Sequence, residues 1–255
     1  MRYLSKLFAS IIVLGFLATW SSCDKANEDD PTDPGEIPLN SVSAVGTSSS
    51  FAPNATYNQM HSSSAIRVSA GNSTFFIGYQ QVSATNQNCI IAKYTNGQQV
   101  WVRTDYENTG DDSRGYGLLW DGAQNLYALF SSTGTQGDPS HDFRRFCGNG
   151  WHTSYGQGGG PKVTVILKID PITGDPFEGT YAMSRLANGN ANSLSVDSLQ
   201  LLNSGNLRLF AQAWYSPLHV DRVPYECTGL SPFQYTFTLN GNLTTAVETE
   251  VVGCK

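Results

Sequence analysis

The chain has 255 residues, only 14% of them charged, and a formal net charge of −6. No basic cluster exists to displace counterions from phosphates, which excludes nucleic acid as a partner. Gly, Ser, Thr and Asn are abundant, and helix-period apolar patterns are absent after residue 40, which excludes a helical bundle and predicts one large all-β domain over residues 41–255.

In chain order, Arg2 and Lys6 precede an apolar run over residues 7–20, broken by Ser10, Gly15 and Thr19. The run falls short of the roughly 20 apolar residues of a membrane-spanning helix, and the small residues Ser21 and Ser22 follow it. That is the layout of a leader, residues 1–22, removed on export. The stretch Thr19-Trp20-Ser21-Ser22-Cys23 resembles the lipobox of bacterial lipoproteins, with Trp20 where the family prefers Leu. The resemblance implies a lipid on Cys23 and attachment to the membrane. Acyl chains contribute about 0.8 kcal/mol per buried methylene, so more than one is needed for a stable anchor.

Residues 23–40, beginning Cys23-Asp24-Lys25-Ala26-Asn27-Glu28-Asp29-Asp30 and then rich in proline, read as a solvated tether. Acidic residues directly behind the lipidated cysteine resemble the export signal of surface lipoproteins in Bacteroidetes-type bacteria. That resemblance implies the cell surface of the outer membrane. Loss of Arg2 and Lys6 with the leader takes the charge from −6 to −8.

Beyond the tether one two-part phrase occurs three times, in units of about 62–110, 111–190 and 191–255. Its first hairpin turns at Gly71-Asn72, Gln124-Asn125 and Gly205-Asn206. The second turns at Asn96-Gly97, through Gly174, and at Asn240-Gly241. Asn-Gly between alternating strands is a strong hairpin signal because both residues tolerate positive φ. The spacing between copies is 28 residues (Gly97 to Asn125) and 32 (Gly174 to Asn206), while inside a copy it is 25, 49 and 35. All the variation falls between the second and third strands, so each unit is a four-stranded meander with one variable loop, as in a propeller blade.

Ala92-Lys93-Tyr94-Thr95-Asn96-Gly97-Gln98-Gln99-Val100-Trp101, the segment Thr109-Gly110-Asp111-Asp112-Ser113-Arg114-Gly115, and Trp120-Asp121-Gly122-Ala123-Gln124-Asn125-Leu126-Tyr127 together resemble bacterial β-propeller repeats of the SBBP type. The resemblance implies a small or incomplete β-propeller. Single-chain propellers have 4–8 blades, so three units need completion by an N-terminal strand within residues 41–57 or by a partner in an oligomer. A β-trefoil-like arrangement is the three-fold alternative.

Setting Cys23 aside leaves Cys89, Cys147, Cys227 and Cys254, an even number in an exported chain, which predicts two disulfides out of three connectivities. All four map to the rim carrying the variable loops. The preferred pairing is Cys89 with Cys254 and Cys147 with Cys227, the latter joining the two long loops.

Those loops collect the unusual side chains. The first holds His141, Asp142, Arg144, Arg145, Trp151, His152 and Tyr155 and ends in Gly156-Gln157-Gly158-Gly159-Gly160. The second holds Trp214, Tyr215, His219, Asp221 and Arg222. Aromatic rings stack on sugars and peptides, and forked guanidinium groups bind hydroxyls and carboxylates. These twelve residues are the candidate ligand site, for a glycan or a protein; the alternative is that the aromatics form a small core for the loops themselves. The histidine spacing matches no short metal motif, the glycine run lacks the Lys-Ser/Thr ending of a phosphate loop, and neither a nucleophile elbow nor a zinc-protease motif occurs. No cofactor or metal is expected. The function expected is non-catalytic binding on the cell envelope. Its alternatives are a polysaccharide hydrolase or lyase using Asp142, Asp221 or Glu226, and a structural envelope component.

Overall fold

The computed structural model describes residues 40–255. The expected leader, Cys23 and nearly all of the expected tether lie outside the described residues. The domain is all-β. Its first strand, β1 (Val42–Val45), precedes a short helix α1 (Tyr57–Ser62) and the meander β2 (Ile66–Ala70), β3 (Ser73–Gln81), β4 (Gln87–Thr95) and β5 (Gln98–Arg103). The second meander is β6 (Ser113–Trp120), β7 (Leu126–Ser132), β8 (Val163–Ile169) and β9 (Pro176–Ala182). A small hairpin, β10 (Ser184–Arg185) and β11 (Ala191–Asn192), leads to the third meander, β12 (Leu194–Leu201), β13 (Leu207–Ala213), β14 (Phe233–Leu239) and β15 (Ala246–Val251).

Each meander is one open antiparallel sheet with its strands in sequential order. The turns sit where the dipeptides place them. Ala70 pairs with Ser73 across Gly71-Asn72, and Asn96 (φ 51°) and Gly97 (φ 77°) both take the left-handed conformation between β4 and β5. At the turn after β6, the Asp121 carboxylate accepts from the backbone N–H groups of Ala123, Gln124 and Asn125, satisfying a loop that has no ladder of its own.

Residues 41–57 do not build a fourth four-stranded unit. β1 instead pairs antiparallel with β6, Val42 opposite Trp120 and Val45 opposite Gly117, making that sheet five-stranded. β1 also contacts β2 and β12, so the first strands of all three meanders gather around it. The expectation of no helix missed α1, whose signal was local. Thr56 and Gln59 form a reciprocal capping box that satisfies the first orphan N–H groups. With residues 51–57, this helix covers the outer face of the first sheet, burying Met60, Phe76, Ala92 and Tyr94.

One apolar core runs through all three units, from Phe75 and Ile77 through Leu129 and Ile166 to Leu209 and Phe237. The strands approach closely where glycine permits it. A Cβ on Gly115 of β6 would lie 2.2 Å from Ile77 Cγ1.

The cysteines pair differently from the expectation. The one disulfide among the described residues joins Cys227 to Cys254. Glu226 and Lys255 exchange both backbone hydrogen bonds beside it, so the cysteines form the adjacent non-hydrogen-bonded pair, the one whose side chains lie closest. Cys89 and Cys147 are free and fully buried. Strand alternation explains Cys89, which shares the inward face of β4 with Ile91 and receives no partner from the rim. Cys147 packs against Gly179 of β9.

Candidate functional site

The two long loops do meet, without a disulfide between them. Trp151 of the first donates its indole N–H to the Val220 carbonyl of the second at 3.1 Å and stacks on Phe237. Its burial is nearly complete, as is that of Tyr155, whose hydroxyl donates to the Pro161 carbonyl at 2.7 Å. These two aromatics therefore form the small core of the loops and present no face to a ligand. His219 and Tyr225 stack at 3.4 Å in the second loop, and the Tyr225 hydroxyl reaches the Thr249 carbonyl.

The charged candidates are similarly occupied. Asp142 is 1% exposed; it caps the 3-10 turn Phe143–Phe146 through the Arg144 N–H, and both its oxygens accept from the Arg144 guanidinium. With its lone pairs committed, it offers no acid or base for sugar hydrolysis, while Asp221 and Glu226 lie exposed. Arg145 lies over the Phe146 ring and donates to the carbonyls of Ser140 and Asp105. His141 is exposed beside Ser140 and Asp138. His152 is buried, and burial together with the nearby Arg185 and Arg222 pushes its pKa down to about 3, so the ring is neutral. Arg222 sits at an exposed turn with φ 72°.

Of the twelve, Trp214 and Tyr215 keep large exposed aromatic surface, 40% each. Trp214 opens onto a cleft of about 720 Å³, within the range of small-ligand sites. The cleft lies where the long loops spring from the sheets. Its walls are Gly46 and Ser48 after β1, Arg114 and Tyr116 of β6, Ser131 of β7, Gly160, Pro161 and Lys162 at the end of the first loop, and Asn192 to Ser195. The glycine run finds its role here. Gly156, Gly158 and Gly160 all have positive φ, and the Gly160 N–H bonds the Thr133 carbonyl, so the run folds back as a wall.

Hydrogen bonds hold the cleft rigid. Thr164 gives its one hydroxyl proton to the Leu194 carbonyl, so at 2.6 Å it must accept from Tyr116, whose oxygen in turn accepts from the Val196 N–H. Burial pushes the Tyr116 phenol up to about 12, keeping it a donor. The backbone N–H of Trp214 donates to the Ser193 carbonyl, and the Asn192 side-chain amide donates to the Trp214 carbonyl. Ser131 and Ser195 have hydroxyls without a hydrogen-bond partner among the described residues. Among the described residues, no carboxylate lines the cleft.

Sequence reasoning missed Arg114 and Tyr116 because it looked for function in the loops, whereas both lie on β6, and it passed over Lys162 at the end of the first loop. The available signal was Lys162, a cation two residues past the end of the glycine run. The sequence matches no protein-family model, no curated protein and no solved structure.

Proposed function

We propose that this chain is an exported, lipid-anchored bacterial envelope protein whose β-domain binds a glycan without acting on it chemically. One observation carries the reading. A rigid cleft of about 720 Å³ combines a half-exposed indole, free serine hydroxyls and no carboxylate among its described lining residues. An indole face stacks on a sugar ring while hydroxyl and amide groups bond the sugar hydroxyls. Glycoside hydrolysis ordinarily requires a pair of carboxylates, and Asp142 is committed to Arg144. The Cys227–Cys254 disulfide supports an oxidising compartment. The leader and Cys23 support attachment to the outer membrane, with the tether holding the domain off the surface.

We read the three meanders as blades of a small propeller-like assembly. Their sequential strand order and the gathering of β2, β6 and β12 around β1 favour this over a trefoil. The test is a broad glycan array probed with the mature protein and with Trp214→Ala. Loss of retention at an unchanged melting temperature is expected. Equal retention by both proteins would sink the reading.

A further inference from the structure

The cleft has a charge character opposite to that of the chain. In a protein of net charge −6, Arg114 and Lys162 are the charged groups among its described lining residues. Arg114 is held in place, its Nε bonded to Gln87 and its guanidinium 4.7 Å over the Tyr79 ring. Its two terminal amines have no protein partner among the described residues. That is a pre-oriented fork of donors, the geometry that matches a planar carboxylate bidentately. Lys162 adds an exposed point charge, its backbone N–H donating to the Ser193 hydroxyl at 3.2 Å. The nearest acid on β12, Asp197, bonds the Gln212 amide and is absent from the cleft wall.

We propose that the glycan this cleft takes is acidic, its sugar carboxylate received by the Arg114 fork and Lys162 while Trp214 stacks on the ring. The proposal rests on the glycan-binding reading above and deepens it. Arg114 and Lys162 line one cleft whose described walls carry no carboxylate, so an anionic ligand gains charge-assisted bonds there that a neutral sugar cannot make, and discrimination follows from the same two residues. Because the attraction is between partly exposed charges, added salt screens it.

The experiment titrates the mature protein with uronate-containing oligosaccharides, based on glucuronate, galacturonate, mannuronate and guluronate, and with their carboxyl-reduced counterparts. At least one acidic member is expected to bind about ten-fold or more tighter than its reduced form, as loss of a charge-assisted hydrogen bond implies. Binding should weaken from 50 to 500 mM NaCl, and the preference should fall in Arg114→Gln and Lys162→Gln. The Lys162 side chain is exposed, so that variant tests the idea without risk to folding. Equal affinity for acidic and reduced sugars, lost on Trp214→Ala, would overturn the acidic preference and leave the glycan reading standing. Binding to neither set, nor to any member of a broad array, would overturn both.

Discussion

Trp151 and Trp214 sit in different long loops and have opposite roles. The first is 2% exposed and packs between Phe237 and the Val220 carbonyl, so Trp151→Ala should cost about 3–5 kcal/mol in a urea titration. Trp214→Ala removes a half-exposed ring and should stay within about 0.5 kcal/mol of the parent. The reverse order would mean that the loop core has been misassigned. Position in the sequence could not separate these two residues, since both lie in polar loops beside histidine and tyrosine. What separates them is a contact across loops far apart in the chain. His152 gives a pH signature at the same scale. Its folded pKa, about 3, lies below the ordinary 6.5, so the unfolded chain binds the extra proton between those values, and stability present above 6.5 drains away as the pH falls. Between pH 6.5 and pH 5 that loss is about 2 kcal/mol. His152→Phe, which keeps a ring against Trp151, should show a correspondingly smaller drop between pH 7 and pH 5. Identical pH slopes would remove His152 as the cause.

At the scale of elements, the four-stranded meanders were legible in the sequence and what joins one meander to the next was not. The strand pairs around Gly71-Asn72 and Asn96-Gly97 appear where the dipeptides stand because turn chemistry is local, whereas β1 pairs with a strand some seventy residues away and has no turn to announce it. The cysteine pairing was illegible for a related reason, since a shared rim does not fix which way each side chain points. Cys89 points inward on β4, and the two cysteines that do pair lie on neighbouring extended segments. Peptide mapping without reduction should therefore find Cys227 linked to Cys254. Cys89 and Cys147 should react with iodoacetamide only after denaturation, because burial raises both thiol pKa values and hides the sulfurs. Reducing the one bond should cost about 2–4 kcal/mol. The β3–β6 contact gives a sharper probe. A methyl group at position 115 would meet Ile77 near the root of its side chain, so Gly115→Ala should destabilise by about 1–3 kcal/mol through overpacking, despite adding only one carbon.

At the scale of the whole molecule, the repeat and the core pull in different directions. Three similar meanders suggest three separable units, as in a solenoid where each repeat touches only its neighbours. Here the apolar core passes without a break from the first unit to the third, and β1 touches the first strand of each. A shared core predicts one unfolding transition, with tryptophan fluorescence and far-ultraviolet circular dichroism coinciding in urea. Trp101, Trp151 and Trp214 lie in different parts of the domain, so the fluorescence reports on more than one unit. The decisive variant is Ala44→Asp, which sets a carboxylate on β1 against that core, where Ala44 is partly buried. A charge there without a partner should cost about 2 kcal/mol or more. If β1 couples the units, that loss shifts the single transition as a whole and both probes move together. If it merely decorates the edge of β6, the transition keeps its midpoint, or splits as one unit melts ahead of the others, and the shared core would then have to be divided into three.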